Sequence, residues 1–401
     1  MNKPLLDQNR PGYVRMIGAC FKDQWHSKSY RLVLAVWLAL TLLWNLTAPE
    51  PLTLSLADEQ TRHAVLIALF MVFGSFVAGS TSVGGGVVAY PILIGLFSVT
   101  PVLARDYSLA IQSVGMTFAS YIIYQSNLDN PKKNRKLPVA LRIGLIGAVI
   151  GTLVGIIGIE RAQLMQWPEV KNLSPQIKLA FVCLITGFIS IHYLRLFYSG
   201  PHLLPTTFRP QQTPHLIRIL IGAFIGGIIS SFFGTGADIF LFTILALYFR
   251  LPTSQATAIS IMVMAASALT ATLTLIVFQL SQISWPSIDG VWSLASQLQS
   301  PLINYWWCSI IAVTLGAPSG SRFLDHLTKY RAEQADSIKK TIRTNELTLS
   351  KLLYAVVIGE LLLTLTVLSI KGFPGGLVAL FFSTLLFLFA FASLFYLGTR
   401  K

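Results

Sequence analysis

Two glycine clusters interrupt apolar, membrane-length stretches of this chain, and they limit what it can fold into. The first is Gly79-Ser80-Thr81-Ser82-Val83-Gly84-Gly85-Gly86, which runs on to Pro91. The second is Ser230-Ser231-Phe232-Phe233-Gly234-Thr235-Gly236-Ala237-Asp238. Hydrocarbon offers backbone N–H and C=O groups no partners. Non-helical chain at membrane depth therefore survives only where protein covers it or where it lines a cavity. Paired breaks in corresponding halves of a chain point to a transporter binding site.

Composition supplies the membrane premise. Hydrophobic residues make up 54% of the 401 positions and charged ones only 11%, against about 25% charged in soluble domains. The net charge of +14 would suggest nucleic acid in a soluble protein, but the basic residues lie between the apolar runs. Those runs are 31–47, 63–83, 84–98, 107–125, 139–158, 177–198, 216–234, 237–249, 255–278, 302–324, 351–370 and 376–399. A helix needs about 20 apolar residues to cross. The segments 84–98 and 237–249 fall short, and each directly follows a glycine cluster. Each is therefore the second arm of a bent pair, either a tilted short span or a re-entrant arm. The fold class expected is all-α: a polytopic membrane protein with about 10–12 transmembrane segments in two inverted repeats with glycine-broken helices.

Lys and Arg set the orientation. The leader through Arg31, the loop 126–138 and the loop after the tenth run are basic, whereas 279–301 has no Lys or Arg. This predicts a multi-pass cell (inner) membrane protein with both termini cytoplasmic. The divisions expected are a leader and first span (1–62), repeat 1 (63–158), a linking span with loops (159–215), repeat 2 (216–324), a basic cytoplasmic loop (325–350) and two C-terminal spans (351–401). In the leader, Val14, Ile17, Phe21 and Trp25 recur at helical spacing, which fits a short helix on the inner leaflet or a disordered tail. No cleavable signal peptide is expected.

A shift of about 150 positions superposes Gly84 on Gly234 and Gly86 on Gly236. Each half ends in glycines four apart: Gly147, Gly151 and Gly155, then Gly316 and Gly320. Small residues at that spacing let helix backbones approach closely. Counting crossings makes the halves inverted if each bent pair crosses twice or not at all, and parallel if each pair is one kinked crossing.

The first glycine string with its following Pro91, the pattern Gln112-Ser113-Val114-Gly115, and the closing Gly316-Ala317-Pro318-Ser319-Gly320-Ser321-Arg322 resemble the TauE/SafE family of sulfite exporters and related permeases. The resemblance covers roughly 63–324. It implies a transporter of small anions, such as sulfite, organosulfonates or organic acids. Thr235, Ala237 and Asp238 stand where that family commonly has glycines.

A dehydrated anion needs donors. Helix starts expose unpaired N–H groups and a partial positive charge, and glycines admit an oxyanion to that backbone. The substrate-binding candidates are Ser80, Thr81, Ser82, Gly84, Gly85, Gly86, Gln112, Ser113, Ser231, Gly234, Thr235 and Gly236, with tight helix packing as the alternative role of the glycines. An ionisable group within a span is a functional candidate by default. Asp238 is either a proton-coupling residue or a helix cap, and Glu360 either couples protons or makes a buried hydrogen bond. Arg105-Asp106 reads as an ion pair at the outer surface, and His192 as a core residue. No metal or cofactor is expected, since the six histidines and three cysteines are scattered, and no catalytic residue emerges. The expected partners are a small anion and the bilayer, with proton coupling and no nucleic acid; nothing fixes the oligomeric state. The function expected is a secondary transporter working by alternating access. An anion channel or a membrane-embedded protein without transport is the other reading.

Overall fold

Coiling lets an apolar stretch satisfy its own backbone in lipid, and the computed structural model of the chain follows that rule. It describes residues 13–47, 59–86, 89, 92–93, 97, 99–128, 137–164, 187, 212–281 and 301–329, and no strand forms among them. The helices are α1 (Tyr13–Trp25), α2 (Lys28–Thr47), α3 (Glu59–Ser80), α4 (Pro101–Leu128), α5 (Leu137–Leu164), α6 (Thr213–Phe233), α7 (Ala237–Thr243), α8 (Thr253–Ser281) and α9 (Pro301–Lys329). Helix α7 widens into a π-helical turn over Ile244–Tyr248. The expected runs 351–370 and 376–399, all of 177–198 except residue 187, and with them His192 and Glu360, lie outside the described residues.

Helices α3, α5, α6 and α8 each hold a stretch long and apolar enough to cross a membrane. Helices α4 and α9, with 28 and 29 residues, reach about 42 Å but are more polar. Their polar groups meet each other inside the protein. The Tyr107 hydroxyl donates to Ser309 Oγ at 2.7 Å, and Trp306 Nε1 donates to the Ala110 carbonyl at 3.0 Å. The chain is an all-α, polytopic membrane protein.

Both short arms fold back along the helix before them. Along α6, Gly226 faces Phe240 and Gly222 faces Ile244. Further on, Arg218 lies over the Tyr248 ring and His215 meets the Phe249 ring edge-on at 5.0 Å. The first half repeats that closure, with His63 of α3 edge-on to Phe97, also at 5.0 Å. From His63 to His215 and from Phe97 to Phe249 is the same 152 positions. The backbone bonds that follow keep the same offset: Val99 N–H donates to Leu93 O, and Leu251 N–H to Leu245 O. Two hairpins replace the single kinked crossing that the sequence also allowed.

Side-chain partners give the helix directions. Helix α9 runs parallel to α3, since Gly316 faces Val72 and Gly320 faces Phe76 and Ser80. It also runs parallel to α4, since Ser309 meets Tyr107 near one end and Asp325 meets Ser126 near the other. Helix α5 runs against α4, because Glu160 near its end pairs with Arg105 near the start of α4. Helix α6 runs parallel to α5, since Gly147 faces Leu220, Gly151 faces Phe224 and Gly155 faces Ser231. So α6 is antiparallel to α3, and the two halves are inverted. The glycine-spaced helix that closes each half packs on the opening helix of the other half. A Cβ on Gly316, Gly320 or Gly151 would strike backbone of the facing helix, which is the close approach small residues permit.

Helix α1 docks on protein. Ile17 and Phe21, expected to face the inner leaflet, pack against the protein core instead, and Phe21 stacks on Phe76 of α3 at 5.4 Å. Gln24 Nε2 donates to the Thr314 carbonyl of α9 at 3.0 Å. Val14 and Trp25 are exposed, and Cys20 and Gln24 take the buried positions. Arg105 also departs from expectation. It is only 3% exposed, because it sits between α4 and α5 and bridges Asp106 at 2.7 Å and Glu160 at 2.9 Å.

Candidate functional site

The hairpins enter from opposite ends of the bundle and meet at their glycine tips. A Cβ added to Gly86 of the first tip would strike Ser108 Oγ and lie 2.7 Å from the Gly234 carbonyl of the second. The second tip turns through left-handed backbone, with φ of +73° at Gly234 and +140° at Gly236, angles that a Cβ disfavours. Gly234 caps α6, its N–H donating to Ser230 O at 2.8 Å, and Gly236 precedes α7.

Helix α4 crosses the meeting point. Gln112 Nε2 donates to the Gly234 carbonyl at 2.5 Å, to Ser108 O at 2.9 Å and to Ser108 Oγ at 3.1 Å. Ser108 Oγ donates to the same Gly234 carbonyl at 3.2 Å. These carbonyls fix the amide's orientation, because a flipped amide would set oxygen against oxygen. Gln112 Oε1 therefore points the other way, toward Gly84.

Three oxygens converge there. The position of a Cβ on Gly84 would lie 2.5 Å from Gln112 Oε1, 2.7 Å from Asp238 Oδ2 and 2.8 Å from Thr235 Oγ1. All three are buried, and none has a hydrogen-bond partner among the described residues. Ser82 Oγ, on the first tip, is buried and unpartnered as well. The other carboxylate oxygen, Asp238 Oδ1, accepts from Ile239 N–H at 2.9 Å. The N–H groups of Gly84 and Gly236 also face this carboxylate without completing a bond to Oδ2. Buried polar atoms are nearly always satisfied, so a group of orphans at one point marks a place built for something else.

The remaining candidates spend their hydroxyls locally. Ser80 and Thr81 donate to Val77 O at 3.1 and 2.8 Å, and Thr81 also accepts from Val83 N–H, which shapes the turn. Ser113 donates to Ala110 O at 2.7 Å. Ser231 donates to Thr152 O and Gly227 O, both at 3.1 Å, in the α5–α6 interface. Gly85 has room, its nearest neighbours being 3.7 Å from an added Cβ. Ser108 is a residue that the sequence reading missed. Its signal is its place four before Gln112, the spacing that puts two side chains on one helix face.

The profile of the Sulfite exporter TauE/SafE family matches residues 132–334. The chain belongs to the TauE/SafE family. The match takes in α5 to α9, including Gly234, Thr235, Gly236 and Asp238, whereas the first glycine tip lies before it. No curated protein and no solved structure matches the chain.

Proposed function

We propose that this TauE/SafE protein is a secondary transporter of small anions, with sulfite and organosulfonates foremost, and that it works by alternating access about the meeting point of its two hairpins. One observation carries the reading: tips from opposite ends of the bundle enclose buried polar atoms that have no hydrogen-bond partner among the described residues. Inverted halves meeting at a central site are a recurring transporter plan, in which one half rocks against the other. The anion would take its donors from the backbone N–H groups of the two tips and from the hydroxyls of Ser82 and Thr235. Ser80, Thr81, Ser113 and Ser231 would shape the tips and helices around it. The three basic segments, at the start of α1, between α4 and α5 and after α9, belong to one end of the bundle, which the charge rule assigns to the cytoplasm.

Purified protein in liposomes tests the proposal. Counterflow of labelled sulfite, thiosulfate, sulfonates and short carboxylates is expected to be saturable, with the sulfur anions preferred. Large ohmic currents would instead make it a channel, and no flux of any of these anions would end the reading.

A further inference from the structure

The meeting point is poorly matched to an anion as it stands. Of the three oxygens at Gly84, the carboxylate Oδ2 of Asp238 and the amide Oε1 of Gln112 only accept hydrogen bonds, and Thr235 brings a single hydroxyl proton. Gln112 has no N–H left to turn inward, because Nε2 is committed to the carbonyls of Gly234 and Ser108. That one side-chain proton cannot satisfy two acceptors, and the N–H groups of Gly84 and Gly236 complete no bond to Oδ2. The carboxylate is held by backbone N–H on its Oδ1 side alone, and a buried charge with no cation beside it is costly.

Among the described residues nothing nearby supplies a counter-charge. Helix α8, packed on α7, carries no charged residue. On α6, His215 lies against Phe249 and Arg218 over Tyr248, both far along the helix from the tip. On α4 and α5, Arg105, Asp106 and Glu160 engage one another. On α3, Glu59 and His63 pair at the opposite end from the tip, beside Arg62, and residues 81–86 hold no ionisable group.

We infer that Asp238 takes up the coupling proton, donates it in a hydrogen bond to Gln112 Oε1, and thereby makes the meeting point able to accept an anion, so that proton and anion move together in the same direction. The proton comes from water on one side, resides on Oδ2 and leaves to water on the other; no other bond changes. Uptake of the proton closes the shortage: Asp238 O–H serves Gln112, and Thr235 O–H is left for Asp238 or the anion. It also removes the negative charge that would repel the substrate. By linkage, each ligand then raises the other's affinity by the same factor. The site draws one acceptor from each half, Gln112 from the first and Asp238 from the second, so rocking the halves apart separates the acid from its acceptor and favours release. This inference rests on the transport reading above, and the test separates the two.

The probe is a labelled alkylsulfonate, whose own charge does not vary with pH near neutrality. Wild-type protein in liposomes is expected to exchange it at equal pH. It is also expected to accumulate it up to about tenfold per unit of pH difference when the outside is acid, while an internal dye records proton entry. Asp238→Asn keeps an N–H donor toward Gln112 but cannot release a proton. It is expected to exchange sulfonate more slowly, with a flat pH profile and no accumulation. Absence of exchange by the wild type would overturn the transport reading. Exchange without response to the pH gradient, accumulation driven by sodium instead, or an Asp238→Asn protein that still accumulates would each overturn the proton inference alone. Should the variant fail to assemble, the dye record decides: saturable sulfonate entry with no proton entry overturns the inference.

Discussion

The two glycine tips occupy equivalent places in inverted halves and use glycine for different reasons. In the first, Gly84 and Gly86 are there for space, since a Cβ at either position would collide with groups of the second half. In the second, Gly234 and Gly236 also supply backbone of positive φ. The chemistry divides in the same way. At the offset of 152 kept by the His–Phe contacts, Gly86 corresponds to Asp238 and Gln112 to Met264. Each half has one polar member of the facing pair, and its counterpart in the other half cannot ionise. Two equal halves would have brought together two carboxylates or none. Divergence between the halves therefore makes a single asymmetric centre on a symmetric frame.

The sharpest way to break this comparison is Gly84→Leu. It would push a side chain among Gln112, Thr235 and Asp238, and anion exchange should fall by about 100-fold or more, as displacements of about 1 Å at a site can do. Gly85→Ala, one position on, should stay within about twofold of wild type. Equal loss in both variants, read by sulfonate counterflow, would mean that the tip acts through flexibility and not through space. Next in size is Gln112→Met, which gives the first half the residue of the second. It removes the donor to the Gly234 carbonyl and should slow exchange by about 5-fold to 150-fold, given a cost of about 1–3 kcal/mol.

Gly236→Ala tests the conformational half of the argument. Its strain should lower stability by about 1–3 kcal/mol, seen as a reduced melting temperature in detergent. His63→Ala and His215→Ala should each cost about 1 kcal/mol, and a large inequality between them would show that the hairpins are not closed alike. The gentlest test leaves both halves intact. Burial of Cys20 in α1, with Asp23 beside it, pushes its thiol up to about 11 against the opposing pull of Arg322. Only the thiolate reacts, so maleimide labelling should be slow at neutral pH and rise about tenfold per pH unit toward that value. Fast labelling at neutral pH would mean that α1 leaves its dock on α3 and α9.

Much of the frame was legible from local chemistry. Apolar length marked the helices, and the glycine clusters marked the breaks, because both signals lie within a few residues of chain. The repeat was visible too, although matching glycine to glycine gave an offset of about 150, whereas the contacts keep 152. Glycines alone are poor register marks, since they serve turns and packing alike. The site was less legible. Ser80, Thr81, Ser113 and Ser231 share the residue types of a donor site. Whether a hydroxyl turns to its own helix carbonyl or to a ligand is a rotamer choice, which neighbouring helices decide. The direction of the Gln112 amide was out of reach for the same reason, because it depends on a carbonyl 122 positions away.

The sequence by itself determined an all-helical membrane protein with two paired breaks and a carboxylate just past the second, since these follow from apolar length, backbone satisfaction and glycine's missing Cβ. Only the tertiary structure decided that the arms fold back, which selects the inverted over the parallel reading of the halves, and that Gln112, Thr235 and Asp238 converge on Gly84. Those outcomes depend on contacts between residues far apart in the chain, where packing chooses among local conformations that are each acceptable alone.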